Sequence, residues 1–409
     1  MEIFPRYILL YPGKILHFIN TVRAIEQIMK FEDKISKLNE FYFFREFTYS
    51  KNKFRKNNGQ EVEVADNIIF LDNIFIMFQI KERNLAKKPN SKNEDNWFEK
   101  KVQKKATKQI RDTIQYLSDY DEIILNNERG DAFNIATDTI TSAQKVVLYS
   151  ATELLSNDKR RIKYHKSKTA GIIHMLSFES YETIIKTLLT PAEVFEYLEF
   201  REQIIIKHLE NTNSVSEESL LGQYIVADFG STPNRKFSDV LSNLKSEIEA
   251  WDMTGIIHLF PKRITRTVSR TDYYYILREI AKLMRHELKI FKERFKLSME
   301  SSKANKFELP YRFVIPRLNL GFVLIPLCED RRSNRINGLT NLTLGHKYDQ
   351  ELERCIGATF LHEKDGWFSV EWCFIDAPWE PNSEMDELLK KNFPFRKVNK
   401  KIVYRYDVL

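Results

Sequence analysis

The amino-acid sequence predicts an α/β protein, α+β overall, with an N-terminal α/β core, a mainly helical middle and a C-terminal α+β part. Three observations predict this class. Apolar residues at helical spacing alternate with runs rich in Ile, Val and Phe over residues 1–150. The middle carries capped helical stretches, and the last part has apolar runs around a Lys364-Asp365-Gly366 turn. With boundaries near 165 and 305, the predicted domains are 1–165, 166–305 and 306–409.

The first part is predicted element by element. Pro12 and Gly13 precede an apolar stripe at helical spacing, which predicts a helix over 14–40. Asn96, followed three residues later by Glu99, forms a capping box that predicts the start of the next helix. The predicted order is helix 14–40, strands 42–48, 62–71 and 74–81, helix 97–118, and strands 122–125 and 145–151.

Helix signals dominate the middle. Thr190-Pro191-Ala192-Glu193 combines a capping box with proline at the first helical position, which predicts a helix reaching His208. The other predicted elements are helices 216–227, 238–252, 272–298 and 383–391 and strands 311–328, 355–375 and 402–406.

Composition excludes several classes of protein. The hydrophobic fraction of 43% and charged fraction of 30% are normal for a globular chain and exclude disorder as the main state. No two of the 12 glycines lie closer than seven positions, which excludes the dinucleotide fingerprint, the phosphate loop and the G-x-S-x-G nucleophile motif. Three cysteines exclude a disulfide framework and indicate a reducing, cytoplasmic location. We expect neither a transmembrane helix nor a signal peptide, and hence no membrane partner.

Residues 61–81 contain the most informative pattern. If Asp72-Asn73 is a two-residue turn, the residue numbers of cross-strand partners sum to 145, and Asp66 lies opposite Gln79. Lys81 then lies on the same face, two residues beyond Gln79. The hairpin is otherwise apolar on both faces, which predicts a buried position. Because a lone buried charge is strongly unfavourable, these three groups need one another or a metal ion.

Asp66, followed by Gln79-Ile80-Lys81 and a Lys/Gln-rich helix, resembles the PD-(D/E)xK nuclease superfamily, in the Mrr-like restriction endonuclease branch with a Q-x-K motif. The resemblance covers residues 10–150 and implies a restriction-endonuclease-like core. It also implies phosphodiester hydrolysis with Mg²⁺ or Mn²⁺, in which Asp66, Gln79 and the Ile80 carbonyl bind the metal. Lys81 would orient the attacking water and offset charge on the phosphate. Additional candidate residues are Glu63, Glu46, Gln103 and Gln109.

Basic residues are concentrated in two stretches. Residues 81–112 hold eleven Lys/Arg and five Asp/Glu, and residues 262–297 hold eleven and four. Segregated positive charge is typical of proteins that bind a phosphate backbone. The predicted nucleic-acid contacts are Lys101, Lys104, Lys105, Lys108, Arg263, Arg266 and Arg270. The last three precede Tyr273–Tyr275, and such a mixture can hold a single strand. Solvated helix faces and tyrosines that pack a helix start are the ordinary alternatives.

The expected function is therefore a metal-dependent nuclease, with DNA favoured over RNA, acting in restriction or phage defence and open to homo-oligomerisation. Two other classes remain open: a catalytically inactive nuclease-fold protein that binds nucleic acid, and an interaction protein without a nucleic-acid role. Gln79 and Lys81 could instead mark where an ordinary hairpin emerges into solvent. A zinc site at Cys355, His362 and Cys373 is disfavoured because no C-x-x-C spacing is present.

Overall fold

The structure is a computed structural model that describes residues 3–4, 29–83, 90–136, 142–244, 252–257, 269 and 271–396. Two compact units are present. The N-terminal unit comprises the described residues between Val22 and Glu249 together with Ala281–Met284, and the C-terminal unit comprises the rest. Both units combine helices with a mixed sheet, so the predicted α/β class is confirmed. The three-part division at 165 and 305 stays a prediction.

A six-stranded sheet organises the N-terminal unit. Its three middle strands run parallel, and the strands outside them pair antiparallel. The order across the sheet is Tyr164–Ser167, Gly171–Ser177, Gln144–Ser150, Ile74–Glu82, Asn67–Leu71 and Thr48–Ser50. Two small two-stranded sheets pair Lys53–Arg55 with Glu61–Glu63, and Ile124–Asn126 with Ala132–Asn134.

The strands Asn67–Leu71 and Ile74–Glu82 form what we call the site hairpin. Asp72 adopts a left-handed φ of 51° in its turn, a conformation that aspartate tolerates better than most residues. The pairs run from Leu71 opposite Ile74 to Asn67 opposite Phe78, so the predicted sum of 145 is confirmed. The hairpin lies inside the sheet and is buried on both faces, as its apolar sequence predicts.

Helices cover the sheet of the N-terminal unit. The Phe31 helix spans Phe31–Tyr42. Residues 91–119 form the long helix, built from Ser91–Trp97, a π-helical stretch Phe98–Ala106 and Thr107–Asp119. The remaining helices of this unit are Asn157–Arg160, Phe178–Leu188, Pro191–Lys207, Leu209–Thr212, Glu217–Ile225, the 3₁₀ turn Arg235–Phe237, and Ser238–Leu244.

One helix start differs from the prediction, and another lies outside the described residues. Residues 14–28 of the predicted helix 14–40 lie outside the described residues, and the described part is helical from Phe31 to Tyr42. The predicted cap at Asn96 is wrong, because the long helix begins at Ser91. Asn90 is its cap, with the side-chain oxygen accepting a hydrogen bond from the Asn93 backbone N–H at 2.9 Å. That bond satisfies a free N–H of the first turn and moves the start six residues earlier.

A buried polar network lies in the core of the N-terminal unit. Arg201 is fully buried and forms a two-pronged ion pair with Glu217, at 2.7 Å and 3.0 Å. The Tyr197 hydroxyl also donates to Glu217, at 2.5 Å. Arg201 further contacts His174 Nδ1 at 2.8 Å, and His174 Nε2 faces the Gln144 side-chain oxygen at 3.1 Å. These bonds join two helices to the sheet and keep every charge partnered.

The C-terminal unit has its own five-stranded sheet. Its central strands Leu320–Leu327 and Arg354–His362 run parallel, joined through helix Arg335–Asp349. The order across the sheet is Ile3–Phe4, Phe368–Asp376, Arg354–His362, Leu320–Leu327 and Tyr311–Ile315. Its other helices are Thr254–Ile257, Tyr273–Ala281, Arg285–Lys303, the 3₁₀ turns Pro316–Leu318 and Glu329–Asn334, and Ser383–Lys391.

The predicted single helix 272–298 is wrong, since one helix ends at Ala281 and the next begins at Arg285. The Leu283 carbonyl accepts a hydrogen bond from the Thr190 hydroxyl at 2.9 Å, and Lys282 pairs with Asp72. These tertiary partners replace the helical hydrogen bonds at that point. The predicted strand 402–406 lies outside the described residues. None of the helices described is both long and apolar enough to cross a membrane.

Candidate active site

The ammonium group of Lys81 is surrounded by three oxygen atoms at one end of the site hairpin. Its Nζ lies 3.1 Å from Asp66 Oδ2, 3.3 Å from Gln79 Oε1 and 2.8 Å from the Ile80 carbonyl oxygen. The three residues that the sequence pattern groups as metal ligands therefore converge on one cation. Gln79 and Lys81 lie at alternate positions of one strand and therefore point to the same face. Asp66 lies just before the partner strand and faces them.

The Asp66 carboxylate is largely buried, with 8% of the residue exposed. Its Oδ2 accepts hydrogen bonds from the Ile80 backbone N–H at 2.5 Å and from Lys81. Within the described part of the chain, its Oδ1 has no hydrogen-bond partner. One oxygen thus fixes the carboxylate on the hairpin, and the other is available to a ligand.

Two further carboxylates interact electrostatically with Asp66 and Lys81. The pKa of Glu63 is raised, first by burial and then by the negative charge of Asp66. The pKa of Glu32 is raised by the same two causes in the same order. The Lys81 charge lowers the pKa of both, although it is a smaller influence. Added positive charge at the site would therefore favour ionisation of all these carboxylates.

Glu63 reaches the site because the predicted strand 62–71 is interrupted. Glu63 ends the strand Glu61–Glu63 of a separate two-stranded sheet, and the ladder of the site hairpin starts only at Asn67. Strict alternation along one strand, which would turn Glu63 away from Asp66, does not apply across this break.

Glu32 is a residue that the sequence pattern missed. It lies in the first turn of the Phe31 helix. A buried network fixes that helix on the sheet: Asn39 donates to Asn67 at 2.8 Å and accepts from Tyr181 at 2.6 Å. Asn67 also donates to Ser50 at 2.6 Å. Since Asn67 directly follows Asp66, the network sets the distance between the helix start and the site. No local sequence signal marks Glu32, because these contacts are non-local.

A pocket of about 230 Å³ lies beside Gln79. Gln109 on the long helix contributes to it, and the side-chain oxygen of Gln109 is buried without a hydrogen-bond partner among the described residues. The candidate Gln109 is thus brought next to Gln79, whereas Gln103 does not line the pocket. The full lining is Val62, Glu63, Val64, Gln79, Gln109, Asp112 and Tyr116.

Glu46 is not brought to the site. Its carboxylate is buried and pairs with Arg129 at 2.7 Å. It precedes the strand Thr48–Ser50, in which Thr48 pairs with Ile69, so Glu46 lies toward the turn end of the site hairpin. Asp66 lies at the opposite end. Glu46 therefore serves the packing of the loop around Arg129.

The lysine face is a set of four exposed lysines between residues 101 and 108 of the long helix. All four are solvent-exposed, and the structure gives none of them an ion pair with another described residue. They are Lys101, Lys104, Lys105 and Lys108. The π-helical stretch contributes to this face, because it carries the first three. The other predicted contacts, Arg263, Arg266 and Arg270, lie outside the described residues.

The donor chemistry of the site fits a hard cation. Mg²⁺ prefers oxygen ligands, and the atoms around the Lys81 ammonium are a carboxylate, an amide and a backbone carbonyl oxygen. Over the residues that the structure describes, no group of three His, Cys, Asp or Glu could hold a metal by itself. A metal here would thus depend on the neutral oxygens of Gln79 and Ile80. Comparisons with protein-family models, with curated proteins and with solved structures find no match to this chain.

Proposed function

We propose that the N-terminal unit is a metal-dependent nuclease of the PD-(D/E)xK type that hydrolyses phosphodiester bonds. The observation that carries the proposal is the convergence of Asp66, Gln79 and the Ile80 carbonyl on one positive charge. Three oxygens that share a cation form a position where a divalent ion could replace the ammonium. The same atoms are those that the family resemblance assigns to the metal.

The order of elements also supports the proposal. The Phe31 helix comes first and is followed by the antiparallel strands Thr48–Ser50, Asn67–Leu71 and Ile74–Glu82. The long helix then leads to Gln144–Ser150, which pairs parallel to Ile74–Glu82. This is the helix, strands, helix, strand order that the resemblance implies for a restriction-endonuclease-like core.

Each residue has a defined role in the proposed reaction. Mg²⁺ or Mn²⁺ would supply Lewis acidity toward the phosphate. Asp66 would hold the ion through the free Oδ1, with Gln79 and the Ile80 carbonyl as neutral ligands. Lys81 would orient the attacking water and stabilise charge that develops on the phosphate. Glu63 and Glu32 would add negative potential that attracts the cation.

The lysine face supports nucleic acid as the substrate. Exposed lysines without ion pairs can release counterions when phosphates bind, which gives affinity without sequence preference. The four lysines lie on the same helix as Gln109, whose side chain contributes to the pocket beside Gln79. The proposed substrate is DNA rather than RNA, in a cytoplasmic restriction or defence role.

A cleavage panel tests the proposal. Purified protein is incubated with plasmid, linear duplex, single-stranded DNA and RNA, in Mg²⁺ or Mn²⁺ against chelator. Metal-dependent cleavage that Asp66→Asn abolishes is the expected result. The matched control is Asp158→Asn, which makes the same change at an exposed aspartate in helix Asn157–Arg160. Cleavage by Asp66→Asn at the wild-type rate would exclude this site.

One observation favours a second candidate, a nuclease-fold protein that binds nucleic acid without cutting it. Gln79 is neutral, so Asp66 alone supplies formal negative charge around the Lys81 ammonium, and Lys81 already balances it. Such a site attracts a divalent cation less than a pair of carboxylates would. Salt-dependent DNA binding without cleavage under any metal would support this candidate.

A further inference from the structure

A second pocket, of about 210 Å³, lies in the C-terminal unit at the carboxyl ends of its two parallel strands. Leu327 ends one of these strands, and Leu361 and His362 end the other. In open α/β sheets, ligands bind in the crevice beyond the carboxyl ends of parallel strands. The polar residues of its lining include Lys303, Asn305, Glu329, Glu363 and Lys364.

Every carboxylate oxygen of this pocket already has a partner. Arg332 bonds both oxygens of Glu329, at 2.9 Å and 3.0 Å, and both oxygens of Glu363, at 3.2 Å and 2.6 Å. The Ser369 hydroxyl also donates to Glu363, at 2.5 Å. These bonds lower the pKa of both glutamates, which keeps the two carboxylates ionised and their oxygens hydrogen-bonded. The acceptors therefore form a closed group with Arg332.

Three side-chain donors of the pocket have no partner among the described residues. Across the described ranges, the ammonium groups of Lys303 and Lys364 have neither a hydrogen bond nor an ion pair. Asn305 uses its side-chain oxygen to accept from the Glu329 N–H at 2.8 Å, which leaves its amide N–H groups without a partner there. A pocket with satisfied acceptors and open cationic donors is suited to an anion.

An exposed aromatic ring lies close to this pocket along the chain. Phe307 is 67% exposed and follows Asn305 by two residues. Arg331, two residues after Glu329, places its guanidinium 5.5 Å from the centre of the Phe307 ring. A flat ring with an adjacent cation is the kind of surface on which a nucleobase stacks.

We propose that this pocket binds a nucleoside phosphate. Its phosphate would contact Lys303, Lys364 and the Asn305 amide, and its base would stack on Phe307. The phosphate can belong to a free mononucleotide or to the 5′-phosphorylated end of a strand. The site is separate from the nuclease site and does not depend on cleavage.

The test is a binding titration of the full chain in chelator, which removes any metal-dependent cleavage. The probes are 5′-AMP, adenosine, and a short oligothymidylate with either a 5′-phosphate or a 5′-hydroxyl. We expect a phosphate on either kind of ligand to raise affinity about tenfold or more. A gain seen with 5′-AMP alone identifies the free nucleotide as the ligand, and a gain seen mainly with the oligonucleotide identifies a strand end.

Three variants locate the binding. Lys303→Gln combined with Lys364→Gln should remove the gain from the phosphate, and Phe307→Ala should weaken 5′-AMP and adenosine alike. The matched control is Lys390→Gln with Lys391→Gln, which changes exposed lysines of another helix in the same unit. Equal binding of phosphorylated and unphosphorylated ligands, no binding of either, or wild-type affinity in the double lysine variant would overturn the proposal.

Discussion

Lys81→Ala is the change that best separates catalysis from structure at the candidate site. In the wild-type protein, Lys81 donates to three oxygens and forms an ion pair with Asp66 in which the side chains are 14% and 10% exposed. We expect cleavage to fall by about 10²–10³ or more, because one positioned group that stabilises transition-state charge is lost. The fold should remain, since the sheet and its register do not involve the ammonium.

The same variant has a stability cost that can be estimated. Removing Lys81 leaves Asp66 with the Ile80 N–H as its remaining hydrogen bond. An under-satisfied buried group of this kind costs about 1–3 kcal/mol. Asp66→Ala should cost less, because Lys81 keeps its bonds to Gln79 and the Ile80 carbonyl and is near solvent.

Mg²⁺ should act differently on the two variants. Since the ion and the Lys81 ammonium would share the Gln79 and Ile80 oxygens and the Asp66 carboxylate, Lys81→Ala removes a competitor and should gain more stability from added Mg²⁺ than wild type does. Asp66→Ala loses the charged ligand and should gain nothing. Urea unfolding of wild type, both single variants and the double variant, each with and without Mg²⁺, measures these differences.

Two results would refute this reasoning. Cleavage by folded Lys81→Ala protein at the wild-type rate would remove Lys81 from the reaction. Equal stabilisation of Lys81→Ala and Asp66→Ala by Mg²⁺ would show that the ion does not bind at the oxygens around the ammonium.

The other predictions concern binding, the buried network and acid stability. Lys-to-Glu changes at Lys101, Lys104 and Lys105 of the lysine face should weaken DNA binding about equally across sequences and flatten its salt dependence, in filter-binding titrations at several salt concentrations. Three exposed lysines serve as the charge-matched control: Lys166, Lys168 and Lys390. Glu217→Gln should cost about 3 kcal/mol in the free energy of unfolding, because it leaves the Arg201 charge buried and unbalanced, whereas Glu218→Gln, at a partly exposed neighbour, should be nearly neutral. Burial, aided by the Arg312 charge, lowers the pKa of His346 to about 4. As pH falls from about 6.5 to about 4, His346 is protonated in the unfolded chain but stays neutral in the folded chain. The free energy of unfolding therefore decreases by about 3 kcal/mol at most. His346→Gln should flatten that slope in urea unfolding series across the same pH range, and an unchanged slope would show that other groups cause it.

Several features of this protein follow from local sequence. The turn at Asp72-Asn73 and the apolar runs on either side fix the register, so the partners of the site hairpin are predictable by counting. The Thr190 side chain accepts from the Glu193 N–H at 3.2 Å, and the helix runs from Pro191 to Lys207 with His208 as its end, as its cap predicts. Each of these features depends on residues a few positions apart, where steric and hydrogen-bond preferences act without help from the rest of the chain.

The sequence alone brings Asp66, Gln79 and Lys81 together, because two strands and one turn suffice to place them. The break after Glu63, the approach of Glu32 and the pairing of Glu46 with Arg129 were decided by tertiary structure. Each of these depends on groups distant in sequence, such as the bond between Asn39 and Asn67. A local pattern carries no information on which distant group will form a hydrogen bond with a buried polar group. That partner is determined only when the helices pack on the sheet.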